Sequence, residues 1–130
     1  MIVGMLEANK AIARRVVEEM LTVNHELANE LFTPPLATKQ IGLAKMLQAS
    51  FPDLEMKVDD LIAEGSKVVC RWSARGTQRG AFLGIPPTDL RVSWSGTTIE
   101  SIENGRIVDS KTSWDLFELV QQLHKAAKTT

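Results

Sequence analysis

Residues 51–88 read FPDLEMKVDDLIAEGSKVVCRWSARGTQRGAFLGIPPT, and within this stretch the apolar period becomes that of a strand. Leu54, Met56 and Val58 alternate with Glu55, Lys57 and Asp59, so a strand here presents one apolar face. Glu64-Gly65-Ser66 predicts a turn. Lys67 to Arg75 predicts the next strand, with Val68, Cys70, Trp72 and Ala74 on one face and Val69, Arg71, Ser73 and Arg75 on the other. Gly76, Gly80, Gly84, Pro86 and Pro87 mark a long turn region.

Downstream, Arg91 to Ile102 predicts a third strand and Arg106 to Ser113 a fourth. Asn104-Gly105 between them is a hairpin signal. Leu116, Leu119, Val120 and Leu123 recur at helical spacing and predict a short closing helix, followed by a Lys-Thr-Thr tail. Upstream the period is that of a helix. Ile12, Val16, Val17, Met20 and Leu21 form one stripe, with Arg14, Arg15, Glu18 and Glu19 opposite. Asn24 predicts the cap of a second helix bearing Leu27, Leu31 and Phe32, which Pro34-Pro35 ends. Thr38 predicts the cap of a third, carrying Ile41, Leu43, Leu47 and Phe51 and closed by Pro52. Helices followed by antiparallel strands predict an α+β domain, with helices packed on one face of a curved sheet.

The 130 residues suit one domain, with its core over about 8–124. Hydrophobic residues at 44% and charged residues at 24% are ordinary for a folded chain. A net charge of −1 gives no electrostatic reason to bind nucleic acid or an acidic membrane. No apolar run approaches the roughly 20 residues of a membrane helix. Glu7 comes too early for a secretory hydrophobic segment, and the expected location is cytoplasmic. The single Cys70 cannot form an internal disulfide or a cysteine zinc site, and two histidines cannot make a three-histidine metal site.

Six motifs follow one another: F-P-D, D-L-I-A-E-G, R-W, G-T-x-x-G, L-G-I-P-P-T and N-G-R-I-V. Together they resemble the SnoaL-like polyketide cyclase (ester cyclase) family of the nuclear-transport-factor-2-like superfamily, from about Asn9-Lys10 to Leu123. The resemblance implies a cone of helices closed by a strongly curved sheet, with an apolar pocket inside. It also implies a homodimer paired through the sheet and an intramolecular aldol ring closure by an acidic residue, without metal or organic cofactor. Such chemistry needs a carboxylate in a mostly dry pocket. The chain departs from the pattern at specific positions. The family's H-W-D triplet corresponds to Ser110, Lys111 and Thr112, and the histidine of G-T-H-x-G corresponds to Gln78. A polar insertion between the second and third helices is replaced by Pro34-Pro35-Leu36.

Asp115 and Asp109 are the acids near the expected site and hence the candidate acid/base residues. Each has a simpler reading. Asp115 precedes the closing helix as an N-cap, and alternation puts Asp109 on the face opposite Ser110 and Thr112. Val16, Met20, Met56, Trp72, Trp94, Thr97, Ser110, Thr112 and Trp114 are the candidate ligand-binding residues; the tryptophans read equally well as core or as a dimer interface. Arg71, Arg75 and Arg79 suit either an anionic substrate or ion pairs with neighbouring strands. Lys111 reads as a solvated residue rather than a Schiff-base lysine, and Cys70 as a small buried hydrophobe.

Three functions follow as expectations. The first is a cyclase relative holding a small, mostly apolar molecule, with cyclase- or isomerase-type acid/base chemistry and no cofactor. The second is a non-catalytic ligand-binding or dimerisation module. The third is an epoxide-hydrolase-like enzyme, for which Arg71 with Asp109 or Asp60 could supply parts of an Asp-Arg-Asp set.

Overall fold

A computed structural model describes residues 2–128. Helix α1 (Ile2–Arg15) runs without a cap into a π turn (Val16–Met20), in which the Leu21 amide reaches back to the Val16 carbonyl at 3.0 Å. The wide turn buries Val16, Val17 and Met20 together. A 3-10 turn (His25–Leu27) follows, its first amides held by Asn24, whose Oδ1 accepts from the Glu26 N–H at 3.1 Å. It leads into α2 (Ala28–Leu31).

The prolines act differently from the expectation. Pro34 and Pro35 open α3 (Pro34–Ser50) instead of ending its predecessor, which stops at Leu31. Proline is tolerated in a first helical turn because its missing N–H has no helical partner there. The cap position is therefore Thr33, not Thr38, whose hydroxyl donates to the Pro34 carbonyl within the helix at 3.4 Å.

The strands are β1 (Glu55–Glu64), β2 (Lys67–Thr77), β3 (Arg91–Glu103) and β4 (Arg106–Trp114), and α4 (Leu116–Lys128) closes the chain. Lys128 of the expected tail ends that helix, and Thr129 and Thr130 lie outside the described residues. The sheet is antiparallel throughout in the order β1-β2-β3-β4. Asn104 and Gly105 both take positive φ, 51° and 78°, as a tight hairpin requires.

Two bulges reset the alternation. Val58 faces Trp72 while Asp60 faces Arg71, so Asp59 is an extra residue, and Leu61 and Ala63 turn inward beyond it. In β4 Val108 is the extra residue, which keeps both Ile107 and Ser110 on the inner face. The helices cover that face, where Met20, Phe32, Phe51, Val68, Ile107 and Leu119 are almost wholly buried. The outer face carries cross-strand ion pairs, Arg71 with Asp60 at 2.8 Å and Arg75 with Glu55 at 2.7 Å, beside the apolar row Ile62, Val69 and Ile99.

Both outer ends of the sheet are managed. Thr33 donates its amide to the Ile107 carbonyl at 3.0 Å along the β4 edge. β3 overshoots β4 at Ser93, and there Gln122 of α4 acts as a surrogate strand. Its Nε2 donates to the Ser93 carbonyl at 2.8 Å, and its Oε1 accepts from the Ser93 N–H at 3.3 Å.

Candidate functional site

Between the helices and the inner face of the sheet lies a cavity of about 100 Å³. Its roof is the π turn (Val16, Val17) with Leu21 just after it, and α3 (Gln40, Leu43, Leu47). Its floor is the sheet. The partly exposed lining residues Gln40, Leu43, Ser110 and Thr112 put the opening between α3 and the β4 edge.

Inner positions of β3 step from apolar to acidic: Val92, Trp94, Gly96, Thr98, Glu100. A Cβ on Gly96 would lie 2.4 Å from Cζ2 of Trp72, so glycine here makes room for that indole. The space lets Trp72 Nε1 donate to Thr98 Oγ1 at 3.0 Å, and Thr98 Oγ1 in turn shares a hydrogen bond with Thr112 Oγ1 at 3.0 Å. Indole and hydroxyls thus satisfy one another, as buried polar groups must.

Glu100 breaks that rule. It is 2% exposed, lines the cavity, and its Oε2 has no hydrogen-bond partner among the described residues. Burial pushes its carboxyl up to about 8, so it holds its proton at neutral pH. An unpaired buried carboxyl in a cavity is what acid/base chemistry requires and what folding alone would avoid. Cys70, across the ladder on β2, also lines the cavity; burial drives its thiol up to about 12, which leaves it an inert small hydrophobe, as expected.

The structure brings together Val16, Met56, Trp72, Trp94, Ser110, Thr112 and Trp114, all of which line the cavity. It does not bring in the others. Met20 is wholly buried in the core beside the cavity without lining it. Thr97 points to the outer face, because alternation turns Thr98 inward.

Neither candidate acid lines the cavity. Asp109 is exposed and pairs in register with Ser101 on the outer face. Asp115 is exposed at the head of α4, where its Oδ1 accepts from the Glu118 N–H at 3.0 Å as an N-cap. The carboxyl that does line the cavity is Glu100, which was not among the sequence candidates. Its signal was present: it is in phase with Val92, Trp94 and Ile102 on the inward face of the strand.

Gln78, at the family's histidine position, is buried away from the cavity. It holds the 78–90 loop by donating to the Ile85 carbonyl at 3.0 Å and accepting from the Thr88 hydroxyl at 2.8 Å. Arg71 and Asp60 are paired on the outer face, and Asp109 is also outside, so the Asp-Arg-Asp constellation does not form in the cavity. Arg79 pairs with Asp89 at 3.3 Å. A wider hollow of about 460 Å³ lies against the outer face, between Lys57, Arg75 and Glu118, and its polar groups are open to water. Among the described residues no three His, Cys, Asp or Glu side chains gather to hold a metal ion, and no helix is long and apolar enough to cross a membrane.

The model of the SnoaL-like polyketide cyclase family matches residues 10–123. The chain is similar to the solved structure of AclR from Streptomyces galilaeus, a candidate hydroxylase, at TM-score 0.83 and 22% identity, over 92% of this chain and 83% of that one. It is similar to TsrD from Streptomyces laurentii at TM-score 0.76 and 25% identity, over 92% and 94% of the two chains. IdmH from Streptomyces antibioticus, a candidate polyketide cyclase, gives TM-score 0.76 and 25% identity over 91% and 99%. No curated protein matches the chain.

Proposed function

Because this chain belongs to the SnoaL-like polyketide cyclase family, we propose that it binds a small, mostly apolar carbonyl compound in the cone and moves protons on it with Glu100. The observation that carries this reading is the cavity-lining carboxyl with an unpartnered Oε2. Protonated Glu100 donates to a carbonyl oxygen and so makes its carbon electrophilic. The carboxylate left behind accepts the proton lost from an α-carbon. The net transfer, from α-carbon to carbonyl oxygen, is that of an aldol closure or an enolisation. The acid of the family's H-W-D triplet corresponds to Thr112, and Glu100 lies on the neighbouring strand. Glu100 faces Ser110 across the ladder, and Thr98 faces Thr112.

The test is uptake of solvent deuterium at the α-carbons of cyclohexanone, followed by proton NMR. General acid/base catalysis is worth about 10²–10⁴-fold, so Glu100→Gln should slow exchange at least about 100-fold. Asp109→Asn should leave it unchanged. Exchange at the wild-type rate in Glu100→Gln overturns the reading.

The small volume, about 100 Å³ against the several hundred of a drug-sized site, favours a second reading, a non-catalytic binding module. It predicts saturable binding with no exchange above the buffer rate in the wild type. A homodimer through the outer sheet face belongs to either reading. Its support is the row Ile62, Val69, Ile99 across three strands, with Ile62 63% and Ile99 44% exposed.

A further inference from the structure

Among the described residues, those lining the cone include no lysine, arginine or histidine. An entering carboxylate would find no counter-charge, and Glu100, if ionised, would repel it. The polar row formed by Trp72, Thr98 and Thr112 spends most of its protons internally. That leaves the Glu100 carboxyl as the strongest donor facing the space. Trp72 reaches Thr98 with its indole, so an apolar wall stands beside the carboxyl, one inner position of β3 away. The size of the space sets a further limit. A closed cavity of about 150 Å³ accepts benzene; this one is about 100 Å³ but opens between α3 and the β4 edge, so one ring fills it with its rim in the mouth.

We infer that the cone selects a neutral molecule no larger than a single ring, with its hydrogen-bond acceptor at Glu100 and its apolar side against Trp72, and that it rejects carboxylates. This rests on the placing of Glu100 in the proposed function and adds charge and size selection to it. A multi-ring substrate does not fit the space as it stands.

The test is titration of three matched probes, each with one six-membered ring (cyclohexanone, cyclohexanecarboxylate and cyclohexylamine), by ligand-observed NMR. At pH 7 cyclohexanone should bind at least ten-fold more tightly than either charged probe. Between pH 7 and pH 9 its affinity should fall about ten-fold, because Glu100, titrating near 8, loses the proton it donates. The other ionisable lining group, the Cys70 thiol, stays protonated over that range; the charged groups near that thiol are Arg14, Glu18 and Asp59. Glu100→Gln still donates from its amide. It should hold cyclohexanone within about three-fold of the wild type, without the pH dependence, and accept the carboxylate better than the wild type does.

Equal binding of carboxylate and ketone overturns the inference. So does cyclohexylamine as the tightest ligand, lost in Glu100→Gln, which would make the site a cation receptor. Failure of all three probes to bind overturns the inference as well, because the cone then accepts no single ring. These are binding measurements. Selective binding without deuterium exchange therefore rejects the catalytic reading alone, and exchange without charge selection rejects this inference alone.

Discussion

At the scale of single residues, two positions on β3 carry the site. Glu100 keeps its proton up to about pH 8 in the folded chain but loses it near 4.5, its ordinary value, when unfolded. The folded state therefore binds the extra proton between these values, and stability falls as pH rises through that window. Below about 4.5 the group's contribution is fully present; above about 8 it is gone. Urea melts across pH 5–8 should show wild type losing a few kcal/mol relative to Glu100→Gln. Parallel curves for the two proteins would contradict the buried, unpartnered carboxyl. Gly96 is the second position. A Cβ there meets Trp72 at 2.4 Å and the Ser113 carbonyl oxygen at 2.8 Å, and backbone cannot swing aside. Gly96→Ala should cost about 1–3 kcal/mol in thermal melts followed by circular dichroism and should abolish cyclohexanone binding by displacing the indole. Both residues were legible in the strand's alternation. Glu100 lies outside the motifs that carry the resemblance, whereas Asp109 follows N-G-R-I-V directly, with Asp115 further along the same stretch. Ser110 and Thr112, read from the same alternation, do line the cavity.

At the scale of elements, α4 does more than cover the core with Leu119 and Leu123. Through Gln122 it closes the free edge of β3 at Ser93. Gln122→Ala should cost about 1–2 kcal/mol, since it leaves a backbone donor and acceptor without their side-chain partner. Amide hydrogen exchange should rise at Ser93 while the β2–β3 ladder stays protected, and unchanged exchange there would remove the role. All four strands were legible, because period-2 alternation and the Asn104-Gly105 turn are local signals. The bulges were not. Asp59 sits in a run of acids where an inserted residue looks like one more polar position, and its consequence appears only in the inward turn of Leu61. The π turn was hidden for a similar reason, since Val16, Val17, Met20 and Leu21 fit ordinary helical spacing too. Pro34-Pro35 was ambiguous in principle, because the same residues that stop a helix also start one.

At the scale of the whole molecule, the inner face encloses the site and the outer face is free for a second copy. Light scattering on a size-exclusion column should give twice the chain mass at high micromolar concentration. Ile99→Lys should halve it while leaving the circular dichroism spectrum unchanged, because Ile99 faces away from the core. A monomeric wild type would reject the sheet-paired dimer. The arrangement of the inner face has an optical consequence. The chain has three tryptophans and no tyrosine, and Trp72, Trp94 and Trp114 all line the one cavity. Its near-ultraviolet emission therefore comes almost entirely from the walls of the binding space. Entry of a ligand, ionisation of Glu100 or flooding of the cone with water should each register as a change in intrinsic fluorescence, with no dye or label attached.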